Sequence, residues 1–147
     1  MNDATSLPAS GKLLGLDLGT KTIGVAVSDG LRYSATPLET IKRTKFTGDA
    51  LRLSELVAEN AAVAFVLGLP LNMDGSEGPR AQSTRAFARN LAQKIPLPIL
   101  FWDERLSTSA VTRMLIEADA RRDKRAEVVD KLAASYILQG FLDRLRT

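Results

Sequence analysis

The chain has 147 residues, with 20 basic against 17 acidic side chains, a net charge of +3, and neither histidine nor cysteine. That length suits one domain with a single core, and 45% hydrophobic with 25% charged residues is ordinary globular composition. Without His or Cys, zinc centres, Ser-His and Cys-His nucleophile pairs and thiol redox chemistry are excluded, and no apolar stretch approaches the ~20 residues that span a bilayer.

Residues 1–12 are mostly small and polar, lack the apolar segment of a signal peptide, and read as a disordered tail ahead of one domain over 13–147. Residues 13–19 and 23–28 are apolar runs around Thr20, Lys21 and Thr22, which predicts a hairpin. Alternation puts Leu14, Leu16 and Leu18 on one face and Asp17 with Leu13, Gly15 and Gly19 on the other. Gly24, Ala26 and Ser28 repeat that small face in the second strand. Such a face either leaves Asp17 over a patch that a ligand backbone could approach, or lets a helix pack closely. A third strand near 33–41 contains Pro37, which suits a sheet edge. Residues 49–60 read as a helix with Asp49 at its N-cap, and 62–69 as a buried parallel strand. A loop over 71–78 leads to a helix over 79–94 opened by Pro79. Residues 97–102 form another strand, and Ser107 caps a helix carrying Val111, Met114 and Leu115. A last helix runs from about Ala126 to Leu145 with apolar i, i+3, i+4 spacing. The order βββαβαβα implies an α/β fold, a mixed five-stranded sheet flanked by helices.

Three acidic residues stand where such folds gather a site. Asp17 lies inside an apolar strand, where an uncompensated polar group costs about 2–7 kcal/mol. Asp103 and Glu104 follow a strand at its C-terminal edge, where α/β sheets place ligands. Asp130 sits in the first turns of the last helix among Ala126, Glu127, Ala133 and Ala134. Taken singly, each has a plainer use: Asp17 in a turn cap or a Lys pair, Glu104 in a salt bridge with Arg105, Asp130 against the helix dipole. Brought together, three carboxylates repel unless a cation binds. Two hard ions about 4 Å apart are an established device for phosphodiester cleavage.

The segments Leu14–Asp29, Val66–Ser76, Asp103–Ser107 and Asp130–Gln139 resemble, in order, four motifs of the YqgF/RuvX family, and the resemblance spans Leu13 to Leu142. It implies an RNase H-like fold with Asp17, Glu104 and Asp130 as catalytic and metal-binding triad, and Mg²⁺ or Mn²⁺ as cofactor. It also implies a hydrolase acting on ester bonds, first as a nuclease maturing the 5′ end of precursor 16S ribosomal RNA. Holliday-junction resolution is the alternative, and a non-catalytic nucleic-acid-binding module of the same fold is a third reading. Three positions depart from the family pattern. Thr22 stands where Arg is usual, Ser107 where Thr is usual, and Lys131 where a small hydroxyl residue is usual. Loss of the Arg removes a phosphate or structural contact near the hairpin, for which Lys21 is a substitute. Asp17-Leu-Gly-Thr20 is also similar to the first phosphate loop of actin-like ATPases and sugar kinases. Those enzymes need two lobes, and this chain has one and lacks a P-loop.

Expected substrate-binding residues are Lys21, Asn72 and Ser76 of the loop, Arg105, and the basic run Arg121, Arg122, Lys124 and Arg125. Phosphate contacts from such a run give sequence-independent, salt-sensitive affinity, although a basic run is usually only a solvated loop. Further basic groups are Lys42, Arg43 and Lys45, and Arg85 with Arg89. The expected partners are structured RNA or branched DNA and pre-ribosomal particles, with no membrane and a cytoplasmic location. Monomer and homodimer both remain open.

Overall fold

The computed structural model describes residues 7–106 and 122–146, the side chains of 122–129 excepted. β1 (Lys12–Leu18) and β2 (Thr22–Ser28) pair antiparallel with Asp17 opposite Gly24. β3 (Ala35–Lys42) completes the meander as an edge strand, and its Pro37 falls at a register shift opposite Ala26. An edge tolerates a residue that lacks an N–H. There follow α1 (Phe46–Asn60), β4 (Ala62–Leu69), α2 (Pro79–Lys94), β5 (Ile99–Asp103), a 3₁₀ turn (Glu104–Leu106) and α3 (Arg122–Leu145). β4 runs parallel to β1 and β5 parallel to β4, giving the order β3-β2-β1-β4-β5. This is the mixed five-stranded sheet that the sequence predicts. The helix expected after Ser107 lies outside the described residues.

The two faces of the sheet carry cores of different texture. Leu14, Leu16, Val25, Phe65 and Leu67 meet Leu53 and Leu56 of α1 and Phe87 and Leu91 of α2. On the other face Leu13, Ala26, Ala64 and Val66 meet Ala134, Ile137 and Leu138 of α3. The side chains there are smaller, so α3 comes close. A Cβ on Gly15 would lie 2.7 Å from Leu138 Cβ, and one on Gly24 would run into the Asp130 carbonyl. Close helix packing is thus what the small face provides at Gly15 and Gly24.

Several element ends differ from expectation, each for a tertiary reason. α1 starts at Phe46, whose ring meets Phe87 edge-on at a centroid distance of 5.5 Å. Asp49 is therefore not the N-cap but a buried residue of the first turn, accepting a 3.0 Å bond from the Thr44 amide. β5 begins only after Pro98 and runs to Asp103. α3 begins at Arg122, four residues before the apolar spacing suggests, so most of the basic run is helical. Leu7 packs against the core beneath α3, Arg32 Nε donates to the Gly11 carbonyl at 2.8 Å, and Lys12 opens β1. The folded chain therefore reaches back into the segment expected to be tail. Among the described residues no helix is long and apolar enough to cross a membrane.

Candidate active site

Asp17 is one residue from the end of β1 and 2% exposed. Its alternation with Leu13 and Gly15 turns it toward the α3 face. On one side it pairs with Gly24 of β2. On the other, Leu16 pairs with Leu67, so Gly68 of β4 is its next neighbour. A carboxylate in the middle of the sheet thus stands between two residues without side chains, each about 4.8 Å away across the strand ladder.

The space over Gly68 is filled by Ile137 Cδ1 and the Glu104 side chain. β5 ends at Asp103, paired with Leu69, and the 3₁₀ turn folds Glu104 back over Gly68. A Cβ at Gly68 would lie 3.1 Å from both Cγ and Cδ of Glu104. Burial pushes the Glu104 carboxyl above its ordinary value, the positive charge of Arg80 pulls it down, and Asp103 adds to the rise. Asp103 itself is held below its ordinary value by Arg105, which forks onto it with Nε 3.1 Å from Oδ1 and Nη2 2.7 Å from Oδ2. Arg105 therefore pairs with Asp103 rather than forming the Glu104 bridge that the sequence allows.

Over Gly24 lies the backbone of α3 at Asp130 and Lys131. The Asp130 carboxylate accepts a hydrogen bond from the Thr22 hydroxyl, 108 positions away in sequence. Thr22 and Gly24 share a strand face, so Asp130 is carried toward the hairpin end of β1 and β2. The position where the family pattern has Arg thus carries a hydroxyl bonded to Asp130, one of the three acids singled out in the sequence. Lys131 is half-buried beside the same glycine.

The other expected site residues are more dispersed. Lys21 is exposed at the hairpin turn. Asn72 donates to Ser76 Oγ at 2.9 Å and Ser76 donates to Asp74 at 2.6 Å, so these two residues hold their own exposed loop. Arg105 Nη1 donates to the Met73 carbonyl at 3.2 Å and ties that loop to the end of β5. Arg121 lies outside the described residues, as do the side chains of Arg122, Lys124 and Arg125. Arg80 was missed in the sequence. The available signal was its position in the first turn of a helix that follows the loop at the ligand-bearing sheet edge.

Asp17, Glu104 and Asp130, with the Thr22 hydroxyl, offer oxygen donors only, and such donors suit hard divalent ions. Glu104, half-buried and with its carboxyl raised by desolvation, is the kind of group whose ionised form a bound cation would stabilise. The fit is one of donor chemistry around a cleared patch. Among the described residues no three acidic side chains are gathered into a ready ligand cluster.

A family model described as "RuvX: Holliday junction resolvase" matches residues 11–144. A protein of Cereibacter sphaeroides named "Putative pre-16S rRNA nuclease" is 72% identical over 140 residues, covering 95% of this chain and 88% of its own. One of the same name from Paracoccus denitrificans is 68% identical over 143 residues, covering 97% and 90%. Among solved structures, Thermus thermophilus RuvC in complex with a Holliday junction substrate superposes with a TM-score of 0.56 at 15% identity, covering 93% of this chain and 97% of that one. The yeast mitochondrial Holliday junction resolvase Ydc2 does so with a TM-score of 0.53 at 15% identity, covering 95% and 80%. At that identity the likeness is one of fold. The sequence match over nearly the whole chain carries more: this chain belongs to the RuvX family.

Proposed function

We propose that this chain is a divalent-metal-dependent endonuclease that cuts structured nucleic acid, and that its substrate is the 5′ end of precursor 16S ribosomal RNA in the cytoplasm. The observation that carries the reading is the position of Asp17 between two glycines, with the Glu104 side chain over one and the Asp130 backbone over the other. The relatives' name supports the ribosomal substrate. Asp17, Glu104 and Asp130 would hold Mg²⁺ or Mn²⁺, which when bound activates water and stabilises the leaving oxygen. The protein's own part is preparation. Thr22 fixes the Asp130 carboxylate, Arg105 keeps Asp103 engaged and the loop seated, and Arg80 offsets the burial of Glu104. Lys21, Asn72, Ser76 and the basic run at the start of α3 would hold phosphates around the cut.

Cleavage of a four-way DNA junction is the second reading, favoured by the description of the matching family model. It calls for two symmetric sites and hence a dimer. One experiment addresses both: purified protein with Mg²⁺ or Mn²⁺ on precursor RNA and on a junction, beside Asp17→Asn. The variant keeps size and polarity but loses charge, so turnover is expected to fall by several orders of magnitude, and chelation of the metal should abolish cutting by the parent. Activity in Asp17→Asn within about tenfold of the parent would place the chemistry elsewhere.

A further inference from the structure

On the side of the sheet away from α3, a cleft of about 490 Å³ opens at the end of β1, between the Gly19–Thr20 turn, the end of β3 and the first turns of α2. Arg43 and Arg80 line it together with hydroxyls that include Thr20, Thr44 and Ser83, and among the described residues no carboxylate lines it. Both guanidinium groups are anchored to backbone. Arg43 Nη1 donates to the Gly19 carbonyl at 2.6 Å and Arg80 Nη2 to the Leu18 carbonyl at 3.0 Å. Among the described residues neither is in a salt bridge. The nearby acid, Asp49, is buried and engaged by the Thr44 amide. Each guanidinium has five N–H donors, so most of both forks remains for an anion, and phosphate matches that planar geometry.

Two features favour a strand over a free nucleotide. The aromatic ring in the cleft, Phe87, is only 6% exposed and has Arg43 at 5.6 Å from its centroid, so it offers no platform for a base. Leu18 and Gly19 directly follow Asp17, and the field of Arg80 reaches Glu104, so the cleft opens at the same end of the sheet as the acids, on its other face. We propose that the cleft is a phosphate subsite for the nucleic-acid strand, seating between Arg43 and Arg80 a backbone phosphate beyond the one that is cut. This rests on the nuclease reading above.

The test uses the Asp17→Asn chain, which leaves the strand intact, and a labelled structured RNA followed by fluorescence anisotropy over a range of salt. Two variants are added separately: Arg43→Gln with Arg80→Gln, and Ser83→Glu, which places an anion in the cleft while keeping both arginine anchors. Each should weaken binding by about tenfold, independently of sequence. The double arginine variant removes one phosphate contact and should reduce the log-log salt slope by about 0.7–0.9. Unchanged affinity and slope in both variants, with the parent chain cutting normally, would overturn the subsite alone. A parent that neither binds nor cuts nucleic acid would overturn the nuclease reading, and the subsite with it. Titration with ATP and with inorganic phosphate separates the sources. If the variants abolish binding of either and leave RNA affinity intact, the cleft serves a free anion and the proposal fails.

Discussion

At Glu104, burial and charge act in opposite directions: desolvation raises the carboxyl, Arg80 lowers it, and Asp103 adds to the rise. A raised value in the folded state means that folding favours the proton. The stability tied to this group is complete below its ordinary value of 4.5 and is lost as pH rises through the folded value. Glu104→Gln should therefore raise the metal-free melting temperature at pH 7 and leave it unchanged near pH 4, by calorimetry. Added Mg²⁺ should stabilise the parent and not the variant; a lower neutral-pH melting temperature in Glu104→Gln would contradict this account. Thr22 gives a second test. If it positions Asp130, Thr22→Val should lower cleavage by about 10–100-fold, the usual effect of losing a partner behind a metal-binding group. Thr22→Ser should restore it, and melting should hardly move. The sequence singled out Asp17 and Glu104 because charge inside or at the end of an apolar strand is conspicuous. It could not reveal the Thr22 bond, because strand and helix periodicity say nothing of a partner 108 positions away.

Among the elements, α3 depends most on a single position of the sheet. It lies so near β2 that a Cβ at Gly24 meets the Asp130 backbone, which cannot swing aside as a flexible side chain could. Gly24→Ala is expected to cost about 1–3 kcal/mol in denaturant unfolding. It should also reduce cleavage more than that loss explains, because Asp130 moves with the helix. Full activity at parental stability would show that the helix can shift without cost. Element types were readable from periodicity, and β4 and α2 take the bounds expected of them. The ends that differ were decided by distant contacts. Phe46 joins α1 because Phe87 is there to meet it, and Asp49 serves the Thr44 amide from inside the helix.

For the molecule as a whole, one sheet supplies both cores, with alternate residues of the same strands feeding α1 and α2 on one side and α3 on the other. Neither core can lose its strands without disturbing the other, so unfolding should be a single transition. Leu53→Ala and Leu138→Ala, one on each side, should each cost about 2–5 kcal/mol. Near- and far-ultraviolet circular dichroism should still report one shared midpoint, whereas two separated midpoints in either variant would mean that the layers melt independently. Which layer a helix joins was not legible in the sequence. The small residues of β1 and β2 announced a close approach but did not name α3 as the element that makes it.

The sheet's outer strands have a consequence for assembly. β3 carries Pro37 and a register shift, and β5 is five residues long. A strand that is interrupted or short is a poor template for the backbone of another molecule. Copies of this chain are therefore badly suited to joining sheet to sheet, even when crowded. Side-chain surfaces are thus the expected means by which the protein joins a larger body.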